Sequence, residues 1–241
     1  MKTALLLIPS LVIAITISGY IPPNHESKAA QQGSPSTLEI GNGLKQALQQ
    51  ATSKSADQLS AVNGFFGNAA VKILFPPQAQ QVEKTLRRVG LNKLCDNVVL
   101  SLNRAAEDAA KQAKPIFIDA VRKMTLRDVT NILLGPPDAA TQYFKRTTSA
   151  TLFLTFKPVI QTSLNKVGAT KYYGDAVNAY NKIPFVRKMN PDIGDYATQK
   201  AIDGLFYEIT LEELNIRKNI GARSTPLLQK VFAFADSKQR N

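Results

Sequence analysis

Carboxylates and cations are the groups this 241-residue chain has available for chemistry, because most other reactive side chains are nearly missing. It has one histidine, His25, one cysteine, Cys95, and no tryptophan. Without a second imidazole, Ser-His-Asp and Cys-His catalysis are excluded wherever His25 is out of reach, as are zinc or di-iron sites built on several histidines. Cys95 sits between Leu94 and Val98 on a helical period and reads as a small core residue. No G-x-x-x-x-G-K-S/T phosphate loop, G-x-G-x-x-G fingerprint or G-x-S-x-G elbow occurs. Neither a cofactor nor a metal is therefore expected.

The carboxylates worth weighing are Glu107, Asp128, Asp138, Asp203, Glu212 and Glu213. Two of them facing each other across a cleft would suffice for glycoside hydrolysis. Asp203 stands beside Ile202, Gly204, Leu205 and Phe206, where a charge is costly unless paired, so a structural ion pair with Arg104 or Arg223 is expected. Asn103, Arg104 and Glu107 form a polar ridge, read either as a hydrogen-bond network between helices or, through Arg104, as an anion contact. The residues expected in structural polar networks are thus Asn103, Glu107, Asp128, Asp138, Asp203, Arg217 and Arg223. The anion-binding candidates are Arg104, Lys145, Arg146, Arg187 and Lys188, the last four mixing charge with the aromatics Tyr143, Phe144 and Phe185.

The charge itself is unevenly spread. Lysine and arginine number 30 against 18 acidic residues, a net charge of +12. Residues 121–190 carry 11 basic and 3 acidic groups, whereas residues 191–241 carry 7 of each. A field of this sign attracts anionic polymers and anionic lipid headgroups. A solvated face that keeps the protein dispersed explains the same numbers.

The elements that must position these groups are helical almost throughout. Leu38, Leu44, Leu48, Ala51 and Leu59 recur at helical spacing, and the glycine-punctuated turn Val62–Asn68 leads into Val71–Phe75, expected as an extended connector. From Lys93 to Lys114 the inner face shrinks from Leu94, Val98 and Leu102 to Ala105, Ala106, Ala109, Ala110 and Ala113. Glu107 with Lys111, and Arg104 with Asp108, are spaced for ion pairing along it. Pro115 predicts a kink or restart. Thr125 and Asp128 are placed as a capping box, Asp138 as the cap of a long central helix to Gly168 containing Pro158, Asp192 as the cap of the next long helix, and Thr225-Pro226 as the start of the last. The fold class follows: an all-α, single-domain bundle of about eight helices over residues 38–234, with a polar tail at 235–241.

Residues 1–20 read as a signal peptide or N-terminal anchor, one lysine followed by about fourteen apolar residues, which is short of the ~20 a membrane span needs. Residues 21–37 read as a flexible linker. Ile17-Ser18-Gly19 resembles the start of a bacterial lipobox, yet Tyr20 stands where the lipidated cysteine belongs, which argues against lipid anchoring.

Several ordered blocks together resemble the bacterial envelope family catalogued as domain of unknown function 4197. These are Asn103–Glu107, Met124-Thr125 with Asp128, Asp138–Thr141 with Tyr143-Phe144, Ala201–Phe206, Glu212-Glu213, Ile216-Arg217, Arg223, and Leu227-Leu228 with Val231-Phe232. The resemblance covers roughly residues 38–234. It implies a secreted helical protein, often lipoprotein-like, with no assigned activity and no catalytic residues to carry over. The expected function is non-catalytic binding or scaffolding at the cell envelope, periplasmic or envelope-associated, through a basic face. The expected partners are an anionic membrane surface or envelope polymer, or another envelope protein; nucleic acid is not expected. The alternatives are a carboxylate-based hydrolase of envelope polysaccharide and a carrier of a lipid-like molecule.

Overall fold

The computed structural model describes residues 34–239 except Val167, Ile183, Val186, Arg187 and Pro191. The expectations for residues 1–20, for residues 21–33, for Tyr20 and His25, and for Arg187 lie outside the described residues. Nine α-helices and two 3-10 turns, with no strand, are found among the described residues. They are α1 (Thr37–Ser60), α2 (Gln80–Arg88), α3 (Asn92–Ala110), α4 (Ala113–Arg122), α5 (Leu126–Leu133), α6 (Ala139–Lys166), α7 (Ala169–Asn181), α8 (Gly194–Lys218) and α9 (Pro226–Gln239). The all-α expectation holds. The helix from Lys93 breaks after Ala110 and restarts as α4, which places Pro115 in a first turn, where its missing N–H costs nothing.

Local punctuation accounts for many of the ends. Ser36 and Glu39 form a reciprocal capping box on α1, and Thr125 with Asp128 does the same on α5. Asp192 accepts the Gly194 N–H at 2.7 Å where α8 begins, and the Thr225 hydroxyl accepts the Leu228 N–H behind Pro226. Glu39 also accepts from Lys230 of α9 at 2.7 Å. That lysine bond, then the Ser36 N–H, holds the Glu39 carboxyl down from an ordinary value near 4.5 to about 2. A carboxyl depressed in the folded state contributes stability that is complete above about pH 4.5 and lost as the pH falls toward about 2. Lys230→Ala is therefore expected to lose less melting temperature than the parent between about pH 5 and about pH 2.5, measured by circular dichroism. Equal losses in both would separate this contact from the acid response.

Packing is organised around α6, which lies against α3 and α8. Its buried residues Phe144, Thr148, Leu152, Phe156, Ile160 and Leu164 recur every fourth position. On a 3.6-residue helix such a stripe precesses about 40° per step, so the buried face winds around the axis. That winding is why the sequence is apolar over more than one stripe. Phe144 meets Phe117 of α4 edge-on at 5.4 Å, and Phe117 meets Phe206 of α8 at 6.2 Å, a three-ring centre drawn from three helices. The alanines of α3 are fully buried and let its neighbours close in.

Between α1 and α2 the chain crosses the bundle without regular structure. Phe65, Val71, Ile73 and Phe75 of this connector point inward and are buried, while Leu74 is 56% exposed. Gly204 of α8 makes room for it, because a Cβ there would stand 2.6 Å from the Phe65 ring. Antiparallel to α1 lies α9, where a Cβ on Gly43 would meet Val231 at 2.7 Å. No helix among the described residues is long and apolar enough to cross a membrane.

Candidate functional site

The polar ridge on α3 turns inward and holds the connector. Asn103 is fully buried; its Oδ1 accepts the Ile73 N–H at 2.8 Å and its Nδ2 donates to the Ile73 carbonyl at 2.8 Å and the Val99 carbonyl at 2.7 Å. Glu107 Oε1 accepts from the N–H groups of Phe65 and Phe66, and Glu107 Oε2 takes Arg104. The other arm of Arg104 donates to Asn63, which sits in left-handed backbone at φ 68°. On the opposite side Glu208 of α8, also buried, accepts from Asn68 and Gln58. These bonds join a helix to a loop, where the sequence predicts a network between two helices. Because Glu107 is drawn inward, the pairing with Lys111 expected from spacing does not form. Lys111 pairs with Asp108, and Arg104 with Glu107.

A second network closes the turn between α5 and α6. Glu213, 5% exposed, accepts the Ala140 N–H through Oε1 and the Thr141 N–H and hydroxyl through Oε2, at 2.9 to 3.0 Å. Arg217, one turn on, donates to Glu213 and to the carbonyls of Ile132 and Leu133, the last of α5. A carboxylate thus sits at the positive end of one helix and a guanidinium at the negative end of the other. Asp138, expected to cap α6, bonds the Gln142 side chain instead, since Glu213 already occupies the backbone N–H groups. Arg223, 3% exposed, closes α8 by donating to the carbonyls of Ile216 and Arg217 and pairs with Asp236.

Asp203 corrects the sequence expectation. It is half-exposed, accepts from Gln199 at 3.0 Å and lies 3.5 Å from Lys200, and among the described residues it has no arginine within 4 Å as an ion-pair partner. Sequence neighbours do not share a helix face: Ile202, Leu205 and Phe206 point inward and position 203 points out. Glu212 pairs with Lys54. Cys95 is fully buried, with its thiol near the Glu83 carbonyl, and burial pushes its pKa up, as a core residue requires.

Two open clefts are formed by described residues. One of about 430 Å³ runs between the connector and α8, lined by Lys72, Leu74, Phe75, Tyr196, Lys200, Asp203 and Tyr207 among others. The other, about 400 Å³, lies between α4 and α6, with Ile116, Asp119, Lys123, Tyr143, Thr147 and Thr151 on its walls. Each is lined by a single carboxylate, whereas a glycosidase needs two across one cleft. Interior recesses beside Cys95 and beside Glu213 hold about 10 Å³ each, too little for a lipid chain.

The cations sort accordingly. Arg104 is engaged by Glu107 and Asn63, while Lys145, Arg146 and Lys188 are exposed. Adjacent in sequence, Lys145 and Arg146 diverge: Lys145 reaches toward the Phe206 ring, Arg146 lies over Tyr143 at 5.5 Å. Arg146 and Arg127 act together on Asp128, whose carboxyl is held below its usual range first by the Thr125 N–H, then by the Thr125 hydroxyl, then by these two charges. Arg127 was not singled out from sequence, because nothing linear ties the start of α5 to the second turn of α6. Among the described residues no group of three or more His, Cys, Asp or Glu side chains is spaced to hold a metal ion.

A family model described as a protein of unknown function, DUF4197, matches residues 34–233. No curated protein and no solved structure matches.

Proposed function

The chain belongs to the DUF4197 family, and from that starting point we propose that it is an exported, periplasmic or envelope-associated binding or scaffolding protein whose basic face engages an anionic surface. The observation that carries this is the exposed Arg146 guanidinium lying over the ring of Tyr143, a wall of the cleft between α4 and α6, with Arg127 joining it in acting on Asp128. The carboxylate beside them, Asp128, is committed to Thr125, and of the described lysines in residues 121–190, Lys123 and Lys157 have acidic partners within 4 Å. The Arg146 guanidinium over Tyr143 offers charge outside, and the walls formed by Ile116, Thr147 and Thr151 offer a mixed apolar and hydroxyl recess inside. That combination suits an anionic lipid headgroup or a phosphorylated or carboxylated envelope polymer.

Co-sedimentation with vesicles tests it. Binding is expected to rise with anionic lipid content and to fall with salt. Arg127→Gln/Arg146→Gln is expected to weaken partitioning by about 2 kcal/mol, on the order of thirtyfold, at roughly 1 kcal/mol per cation near an anionic surface. Binding indifferent to lipid charge, to salt and to this variant would remove the proposal.

A further inference from the structure

A primary amide can bond both the N–H and the C=O of one residue only where these point the same way, as in extended chain, and Asn103 does so at Ile73. In extended chain the next residue presents its N–H and C=O to the opposite edge. The Lys72 N–H on that edge is taken by the Asn68 carbonyl, whereas the N–H and C=O of Leu74 have no hydrogen-bond partner among the described residues. Leu74 lines the 430 Å³ cleft together with the α8 residues Tyr196, Lys200 and Tyr207. An unpaired extended residue in a cleft that also holds two aromatic side chains has the makings of a strand-addition site.

We propose that this cleft binds an extended, acidic polypeptide segment of a partner protein, which adds its backbone to the Leu74 edge and sets a carboxylate toward Lys72 and Lys200. Lys72 is held in place over the Phe66 ring at 3.9 Å. Lys200 is only loosely paired with Asp203, at 3.5 Å, so an incoming carboxylate competes for it on even terms. Tyr196 and Tyr207 supply flat apolar surface with polar tips, as peptide grooves commonly do. The site is built from the connector and α8, not from the α4–α6 face proposed to meet an anionic surface, so either can fail without the other.

The test selects decapeptides from a random display library on the immobilised full chain and measures the winners by fluorescein anisotropy. Acidic peptides are expected, and methylating one central backbone nitrogen of a selected peptide should weaken binding by about tenfold, the loss of a single strand hydrogen bond. Lys72→Gln/Lys200→Gln should weaken it by a similar factor while leaving the circular-dichroism melt unchanged. No enrichment over an uncoated control, or winners that tolerate methylation at every position, overturns the proposal. So does displacement of the bound peptide by anionic vesicles without displacement by excess unlabelled peptide, since the cleft would then serve a membrane.

Discussion

Replacing Glu213 with alanine is expected to destabilise the domain by about 3–5 kcal/mol, the cost of stranding one member of a buried ion pair. The substitution removes the acceptor for the Ala140 and Thr141 N–H groups and leaves Arg217 with only the carbonyls of Ile132 and Leu133. The N–H groups belong to the first turn of α6 and the carbonyls to the last turn of α5, so both helix ends lose their closure when the charge loses its partner. For a domain of this size each kcal/mol moves the melting point by roughly 2–4 °C, so a fall of about 10 °C or more is expected. Arg217→Lys should fall between parent and alanine, because a compact ammonium keeps the charge but lacks the planar fork by which Arg217 spreads its donors over Glu213 and both carbonyls. A loss below about 1 kcal/mol for Glu213→Ala in urea unfolding would mean the pair contributes no more than an exposed one.

Asn103→Ala carries the second large effect, expected at about 2–4 kcal/mol from two buried Ile73 groups left unpaired and a void in the core. Asn103→Asp discriminates between lost volume and lost donors. Its carboxylate can still accept the Ile73 N–H but faces the Ile73 carbonyl with no proton, so it should be worse than alanine at neutral pH and recover in acid, where the protonated group donates. If the aspartate variant matches the parent at neutral pH, the donor to Ile73 is not what holds the connector.

These two sites show where sequence reasoning reached and where it stopped. Thr125 with Asp128, Asp192 before α8 and Thr225-Pro226 before α9 were legible because a cap is a contact across two or three residues. The ridge of Asn103, Arg104 and Glu107 was recognised as polar and structural, but its target, the connector, is 30 to 42 residues away in sequence. Glu213 is visible in the sequence as a carboxylate, yet Asp138 is the local residue at the cap position of α6, and nothing linear reveals that a carboxylate from α8 arrives there first. Asp203 misled for a different reason: apolar neighbours in sequence occupy other faces of a helix. Lys72 and Lys200 carried no signal at all, being ordinary lysines until the connector and α8 lie side by side.

The antiparallel seating of α9 on α1 also sets when that flank of α1 can be covered. Lys230 reaches Glu39 across 191 positions of chain, and Gly43 is shaped for Val231. During synthesis the earliest helix therefore has no lasting partner on that flank until the final fourteen-residue helix has been delivered.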